Sequence, residues 1–198
     1  MPLSDRRFDL QVEKFLTDNP EKRYLDIGCG AGKYGKMLKK INPESHVIGI
    51  EADAEYIERY GTREIYDELI NDRIENFIRN NHGFTTDIVI MGDLLEHLFK
   101  SDGIDLLSFM AYRCKYMVIV FPTKFVMFDY KGHTTESHNS VWSEDDFKQF
   151  DYEYFKDEIM NMVVVRGFWG DAETVYNLDD KELMSKLRGS SSLEGECG

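Results

Sequence analysis

Cysteine is scarce in this chain: Cys29, Cys114 and Cys197 are odd in number, far apart and form no C-x-x-C pair. That pattern gives neither a disulfide framework nor zinc spacing, so no metal is expected and a reducing, cytoplasmic setting fits. Basic residues are in deficit as well, with 24 Lys plus Arg against 37 Asp plus Glu and a formal net charge of −13. Nucleic-acid binding draws on basic patches that release counterions, whereas this surface repels polyanions; DNA and RNA are not expected as partners. Long apolar runs are missing too. Nothing approaches the ~18 residues a spanning helix needs, and the N-terminal MPLSDRRFDLQVEKFL has no signal-peptide core, so no membrane association is expected. No shift in composition marks a second domain, and 198 residues suffice to bury one core without disulfides or metals.

Glycine, by contrast, is concentrated in one informative place. In YLDIGCGAGKYGKML, residues 24–38, a short apolar strand carrying Asp26 runs into Gly28, Gly30 and Gly32 and then opens a helix. Glycines where a chain leaves a strand permit a sharp turn and let backbone N–H groups come close to a ligand. Tyr34, Met37, Leu38 and Ile41 recur at i, i+3, i+4 and i+7, which gives the helix one apolar face. A structural tight turn or a phosphate-binding loop uses glycines equally well, so the turn takes its meaning from the segments that follow.

Three such segments arrive in order. SHVIGIEAD, residues 45–53, is an apolar strand ending on Glu51. That lies about 20 residues after the glycine turn, where a carboxylate can accept both hydroxyl protons of a ribose. TDIVIMGDLLEHL, residues 86–98, is a fully apolar strand that breaks at Gly92 and delivers Asp93, Glu96 and His97 to a loop or helix start. YMVIVFP, residues 116–122, is another buried strand. The nicotinamide-binding fingerprint G-x-G-x-x-G competes for the first turn. Here the third glycine comes one residue early, and Lys33 and Tyr34 stand where that fingerprint wants glycine or a small residue.

The series resembles the class I S-adenosylmethionine-dependent methyltransferases of the small-molecule type, over residues 24–168. Asp26, Gly28, Gly30 and Gly32 match that family's acidic-x-Gly-x-Gly-x-Gly signature, Glu51 its ribose-binding acidic residue, and Asp93-Leu94-Leu95-Glu96-His97-Leu98 its segment after the fourth strand. The resemblance implies S-adenosyl-L-methionine as cofactor, its methionyl part on the backbone of Gly28, Cys29 and Gly30, with Asp26, Gly32 and Tyr34 framing the turn. It further implies Glu51 and Ala52 at the ribose, Asp72 with Arg73 and Ile74 at the adenine, and Gly92 and Asp93 along the pocket; Asp93 reads equally as a helix cap. The Asn-Pro-Pro-Tyr type segment of members that methylate exocyclic base amines is absent, and Gly92-Asp93-Leu94 stands in its place.

Strands alternating with helices read as α/β: a seven-stranded, mostly parallel, doubly wound, Rossmann-like sheet with an antiparallel C-terminal hairpin. Strands are expected near residues 23–27, 46–50, 64–69, 87–91 and 116–121, then YEYFK and MVVVRGF as the hairpin. Residues 1–188 read as one domain. Within residues 1–20 an amphipathic helix bearing Phe8, Val12, Phe15 and Leu16 is expected beside or over the cofactor cleft, and residues 189–198 read as a disordered tail. A helix lined by Ile104, Leu107, Met110 and Ala111 is expected before the fifth strand, and a short one near residues 144–150. In such a sheet a ligand binds outside the strands' carboxyl ends at the switch point, where residues 28–32, Glu51, Asp72 and Asp93 converge.

Methyl transfer asks little of side chains, because a sulfonium is already an activated donor; only removal of the acceptor's proton wants a base. Residues 122–147, PTKFVMFDYKGHTTESHNSVWSEDDF, follow the fifth strand and are long for a connection, so they are expected to form a lid or acceptor-binding segment. His138-Asn139-Ser140-Val141-Trp142 resembles a His-x-Ser-x-Trp segment of some small-molecule members, which makes His138 the candidate base. Tyr130, His133 and Trp142 are candidate substrate contacts. Anchoring of the lid by His138 and Trp142 is an equal reading, His133 also reads as a solvated loop residue, and His97 is expected to cap or pack near a helix start. The expected function is methyl transfer to an oxygen or nitrogen of a small-molecule acceptor of cationic, aromatic or sugar-like character. The alternative is a catalytically silent S-adenosylmethionine-binding module with an assembly or regulatory role; the oligomeric state stays open.

Overall fold

The computed structural model describes residues 5–124 and 137–169. Tyr130, His133, the rest of residues 125–136 of the 122–147 segment, and the tail at 189–198 lie outside the described residues. Strands that are apolar on both faces demand cover on both sides, and helices supply it. The five strands β1 (Arg23–Ile27), β2 (His46–Glu51), β3 (Glu68–Asn71), β4 (Ile88–Gly92) and β5 (Tyr116–Pro122) are parallel. With β6 (Asp151–Lys156) and β7 (Met160–Arg166) they form a seven-stranded sheet of order β3-β2-β1-β4-β5-β7-β6, in which β7 lies antiparallel between β5 and β6. The helices are α1 (Asp9–Asp18), α2 (Lys33–Ile41), α3 (Ala54–Tyr60), α4 (Ile74–Asn80) and α5 (Lys100–Ala111).

The period-two alternation of each strand divides its side chains between two apolar clusters. Leu25, Ile27, Val89 and Met91 join Leu106, Leu107, Met110 and Trp142 in one, while Tyr24, Ile88 and Ile90 join Val12, Leu16 and Leu38 in the other. From β1 the chain winds outward to β3, then returns to β4 on β1's other side. That reversal opens a crevice at the carboxyl ends of β1 and β4.

Three expectations shift. β3 starts at Glu68 rather than near residue 64, because Gly61 (φ 60°) ends α3 and a 3₁₀ turn occupies Thr62–Glu64. Asp67 then spends its carboxylate on the N–H of Val47, at 2.7 Å, before pairing begins. Ile104, expected on the buried face of α5, is 41% exposed; the helix begins at Lys100, and Gly103, Leu106, Leu107 and Met110 form that face instead. The helix expected near residues 144–150 is a single 3₁₀ turn, Glu144–Phe147, opened by a capping box between Ser143 and Asp146.

Candidate active site

Between β1 and α2 the chain passes from extended to helical through Gly28 (φ 70°), Gly30 (φ 49°) and Gly32 (φ 75°), all in the left-handed region that costs an L-residue roughly 1–2 kcal/mol. The N–H groups of Gly28 and Cys29 both donate to the Ile50 carbonyl, at 2.9 and 3.1 Å, which stitches the turn to β2. A β-carbon on Gly28 would lie 2.9 Å from Leu94 Cδ1, and one on Gly32 would collide with Ile65. The left-handed backbone favours glycine at these two positions, and the added β-carbon would also displace the end of a Leu94 or Ile65 side chain.

Glu51, at the end of β2, is buried beside this turn. Its Oε2 accepts the Gly30 N–H and its Oε1 the Asp53 N–H, each at 2.8 Å. A carboxylate has about four acceptor sites, so two remain for hydroxyl donors. Burial pushes its pKa up, opposed by the backbone donors of Asp53 and Gly30. Ala52 beside it is exposed, and Asn71 Nδ2 donates to the Glu51 carbonyl at 2.8 Å, tying the ends of β2 and β3 together. Asp72 Oδ1 accepts from the Arg73 N–H and from Asn76 Nδ2, at 2.8 and 2.9 Å, where α4 opens. Arg73 is exposed and Ile74 is buried. A nucleoside-bearing cofactor fits this edge: a buried carboxylate keeps acceptor capacity next to a glycine turn whose amides lie at the switch point.

Two residues expected at the cofactor, Asp26 and Tyr34, are buried and engaged within the protein. Asp26 is 1% exposed, and its carboxylate accepts the Tyr66 hydroxyl at 2.6 Å. Burial raises its pKa to about 7, although Tyr66 and the Gly35 N–H pull it down. Tyr34 is buried with its ring pressed on Gly92, where any β-carbon would strike it. Cys29 is buried as well, and burial raises its thiol pKa. Asp93 is the one non-glycine with positive φ among the described residues, at 51°, a conformation that a short polar side chain tolerates. Its Oδ2 accepts the Asp5 N–H at 2.9 Å, while Lys33 Nζ binds the Asp5 carbonyl and Asp9 Oδ1, both at 2.5 Å. The segment preceding α1 is thereby laced to the β1 and β4 ends of the crevice. Burial also raises the Asp93 pKa.

Beyond β4, a 3₁₀ turn at Leu95–His97 is clasped by residues 139–142 returning from the far side of the 122–147 segment. The N–H groups of Asn139 and Ser140 donate to the Glu96 carbonyl at 2.7 and 3.1 Å. Asn139 Nδ2 donates to the His97 carbonyl, and Ser140 Oγ and Trp142 Nε1 donate to the Leu95 carbonyl, at 2.8 to 3.0 Å. Trp142, expected at the substrate, is 2% exposed, seated on Gly103 with Lys100 Nζ 3.8 Å from its ring centroid. It serves as an anchor, because its ring is buried and its indole N–H is already bonded to the Leu95 carbonyl and Ser140 Oγ.

The clasp brings His138 against His97, ring centroids 4.8 Å apart and nearly perpendicular, with Glu96 between the loops. Glu96 is 2% exposed, and burial raises its pKa well above the usual carboxylate range. His97 is pushed down to about 4 by burial first and then by His138, and burial lowers His138 too. Sequence reasoning delivered Glu96 and His97 to this loop but gave Glu96 no role, because its partner His138 is supplied from another strand's connection. At the opposite end of the sheet, a surface cavity of about 350 Å³ lined by Pro20, Lys115 and Trp169 shares no residue with this edge.

The strand order, the switch-point crevice and the glycine turn facing a β2 carboxylate define the class I methyltransferase fold. Residues 25–115 match a family model described as a methyltransferase domain. Solved structures agree on the fold. An O-methyltransferase family protein from Burkholderia thailandensis superposes with a TM-score of 0.57 at 10% identity, over 81% of this chain but 56% of that one. The plantazolicin methyltransferase BpumL in complex with SAH gives 0.60 at 17% identity, over 80% and 83% of the two chains. Magnesium protoporphyrin IX methyltransferase from Synechocystis PCC 6803 with bound SAH gives 0.56 at 15%, over 79% and 81%. No curated protein matches by sequence.

Proposed function

We propose that this protein transfers the methyl group of S-adenosylmethionine to an oxygen or nitrogen of a small-molecule acceptor in the cytoplasm. One observation carries the reading: Glu51 is buried beside the glycine turn and keeps acceptor capacity after binding Gly30 and Asp53. The cofactor supplies an electrophilic methyl on a sulfonium. Gly28, Cys29 and Gly30 hold its methionyl part, Glu51 with Ala52 the ribose, and Asp72 to Ile74 the adenine; Gly92 and Asp93 bound the pocket. Asp26 and Tyr34 hold the turn in shape from beneath. His138, half-buried on the loop after β5, is the candidate to take the acceptor's proton, its ring neutral near pH 7 because burial lowers its pKa.

Several features support a small acceptor. The net charge of −13 disfavours polyanions and favours neutral or cationic metabolites, including amino sugars. A neighbour of the same fold is named for a porphyrin substrate, magnesium protoporphyrin IX. Among the described residues no helix is long and apolar enough to cross a membrane.

The test is calorimetric titration with S-adenosylmethionine and its demethylated product, NADH serving as control, followed by methyl-transfer assays on hydroxyl and amino metabolites. Glu51→Ala is expected to weaken cofactor binding roughly 10–100-fold, the scale of a lost hydrogen bond to a charged group. Unchanged affinity would remove Glu51 from the ribose, and binding of NADH alone would overturn the class. Cofactor binding without turnover on any acceptor would favour the silent module.

A further inference from the structure

Glu96 and His97, which the methyl-transfer reading leaves unused, form a cluster with His138, its candidate base. Each offers one ligand atom, and these atoms lie within 4.8 Å of one another. Glu96 Oε2 and His138 Nδ1 are buried and have no hydrogen-bond partner among the described residues. Protein interiors rarely leave such groups unpaired, because each forfeits its hydration without replacement. Two unpaired buried polar atoms in one cluster, one of them on a carboxyl group that is 2% exposed, mark a place where a ligand supplies the missing partner.

The third member is already oriented for that purpose. His97 Nδ1 faces the Ser137 carbonyl at 3.3 Å. A carbonyl only accepts, so the ring proton sits on Nδ1 and the Nε2 lone pair is left free, the arrangement that outer hydrogen bonds impose on metal-bound histidines. The clasp from residues 139–142 fixes the two loops against each other whether or not anything is bound. Metal–ligand bonds of ~2.1 Å require a mutual spacing of ~3 Å, so binding must draw together the three atoms that now lie within 4.8 Å of one another.

We propose that Glu96, His97 and His138 bind one divalent first-row transition-metal cation, of the Mn²⁺, Fe²⁺, Co²⁺ or Zn²⁺ kind. Two imidazoles with one carboxylate select such ions over Mg²⁺ and Ca²⁺, which take all-oxygen shells. Three protein ligands leave coordination positions open. The cluster stands on the loops after β4 and β5, three residues beyond Asp93, at the edge where the crevice opens. Resting on the proposed methyl transfer, this narrows the acceptor to one presenting a hydroxyl. A cation lowers the pKa of an oxygen it binds, so, with His138 engaged as a ligand rather than as the base, the hydroxyl proton leaves to solvent as the oxygen bonds to the methyl carbon. The carbon–sulfur bond breaks with its electron pair going to sulfur, which ends as a neutral thioether.

The test uses tag-free, chelator-treated full-length protein titrated with MnCl₂, CoCl₂ and ZnSO₄ by calorimetry, and with Co²⁺ by visible absorption. One equivalent per chain is expected, with nitrogen-type ligand-field bands for Co²⁺. Glu96→Gln and His138→Ala should each weaken binding by a factor of about 10–100 or more, the scale seen even for outer-shell losses. His138 is half-buried on a loop, so His138→Ala keeps the test valid if Glu96→Gln does not fold. No saturable binding, or binding that both folded variants retain, overturns the site. S-adenosylmethionine titration of the metal-free protein is read separately. Metal binding without cofactor binding leaves the site standing and removes the methyl-transfer reading. Cofactor binding with no metal binding does the reverse.

Discussion

Asp26 is the residue whose removal should make the protein more stable, and by an amount that depends on pH. Its carboxyl is held at about 7 by burial, whereas in an unfolded chain it titrates near ~3.9. Over that window the folded state keeps a proton that the unfolded state has released. Its stabilising proton is fully retained below pH ~4, and stability is lost as pH rises towards ~7. Each unit is worth ~1.4 kcal/mol, so the whole window costs on the order of 4 kcal/mol and the stretch from pH 5 to pH 8 about 3 kcal/mol. Asp26→Asn removes the titration at nearly constant volume. The amide oxygen can keep the Gly35 N–H, and the Tyr66 hydroxyl, now 2.6 Å from Oδ2, can turn round to accept from the new NH₂. Urea unfolding of both proteins at pH 5 and pH 8, with equal slopes, should show the variant's advantage growing by about 3 kcal/mol between the two. A difference that stays flat with pH would mean that Asp26 is ionised in the folded protein and that the turn rests on a charge.

Two further substitutions probe the frame around the site. Gly32→Ala combines a left-handed backbone with a β-carbon driven into Ile65, and should cost about 2–5 kcal/mol in urea unfolding; a loss below about 0.5 kcal/mol, the range of ordinary surface changes, would show that the turn relaxes freely. Trp142→Phe removes the indole N–H shared by the Leu95 carbonyl (3.0 Å) and Ser140 Oγ (2.7 Å). It should cost about 1–3 kcal/mol and shift the imidazole NMR signals of His97 and His138, which the same clasp positions. Unmoved histidine signals would detach Trp142 from the cluster.

What could be read in the sequence and what could not separates along physical lines. Residues 23–27, 46–50, 87–91 and 116–121 were legible because buried parallel strands write their burial into local composition, and the observed strands fall within a residue or so of them. β3 was misplaced because Gly61, the Thr62–Glu64 turn and the side chains of Tyr66 and Asp67 are engaged with α3, Asp26 and Val47, partners invisible to a local window. The same distinction holds in the site. The glycine turn and Glu51 follow a fixed spacing along the chain, so their meeting could be anticipated, whereas the burial of Asp26 against the Tyr66 hydroxyl could not. Glu96, His97 and His138 meet only because residues 139–142 hydrogen-bond back onto the Leu95–His97 turn. A turn and a carboxylate carried by one βαβ unit are therefore readable from sequence, while a cluster assembled across two loop ends becomes visible only when the backbone that joins them is in place.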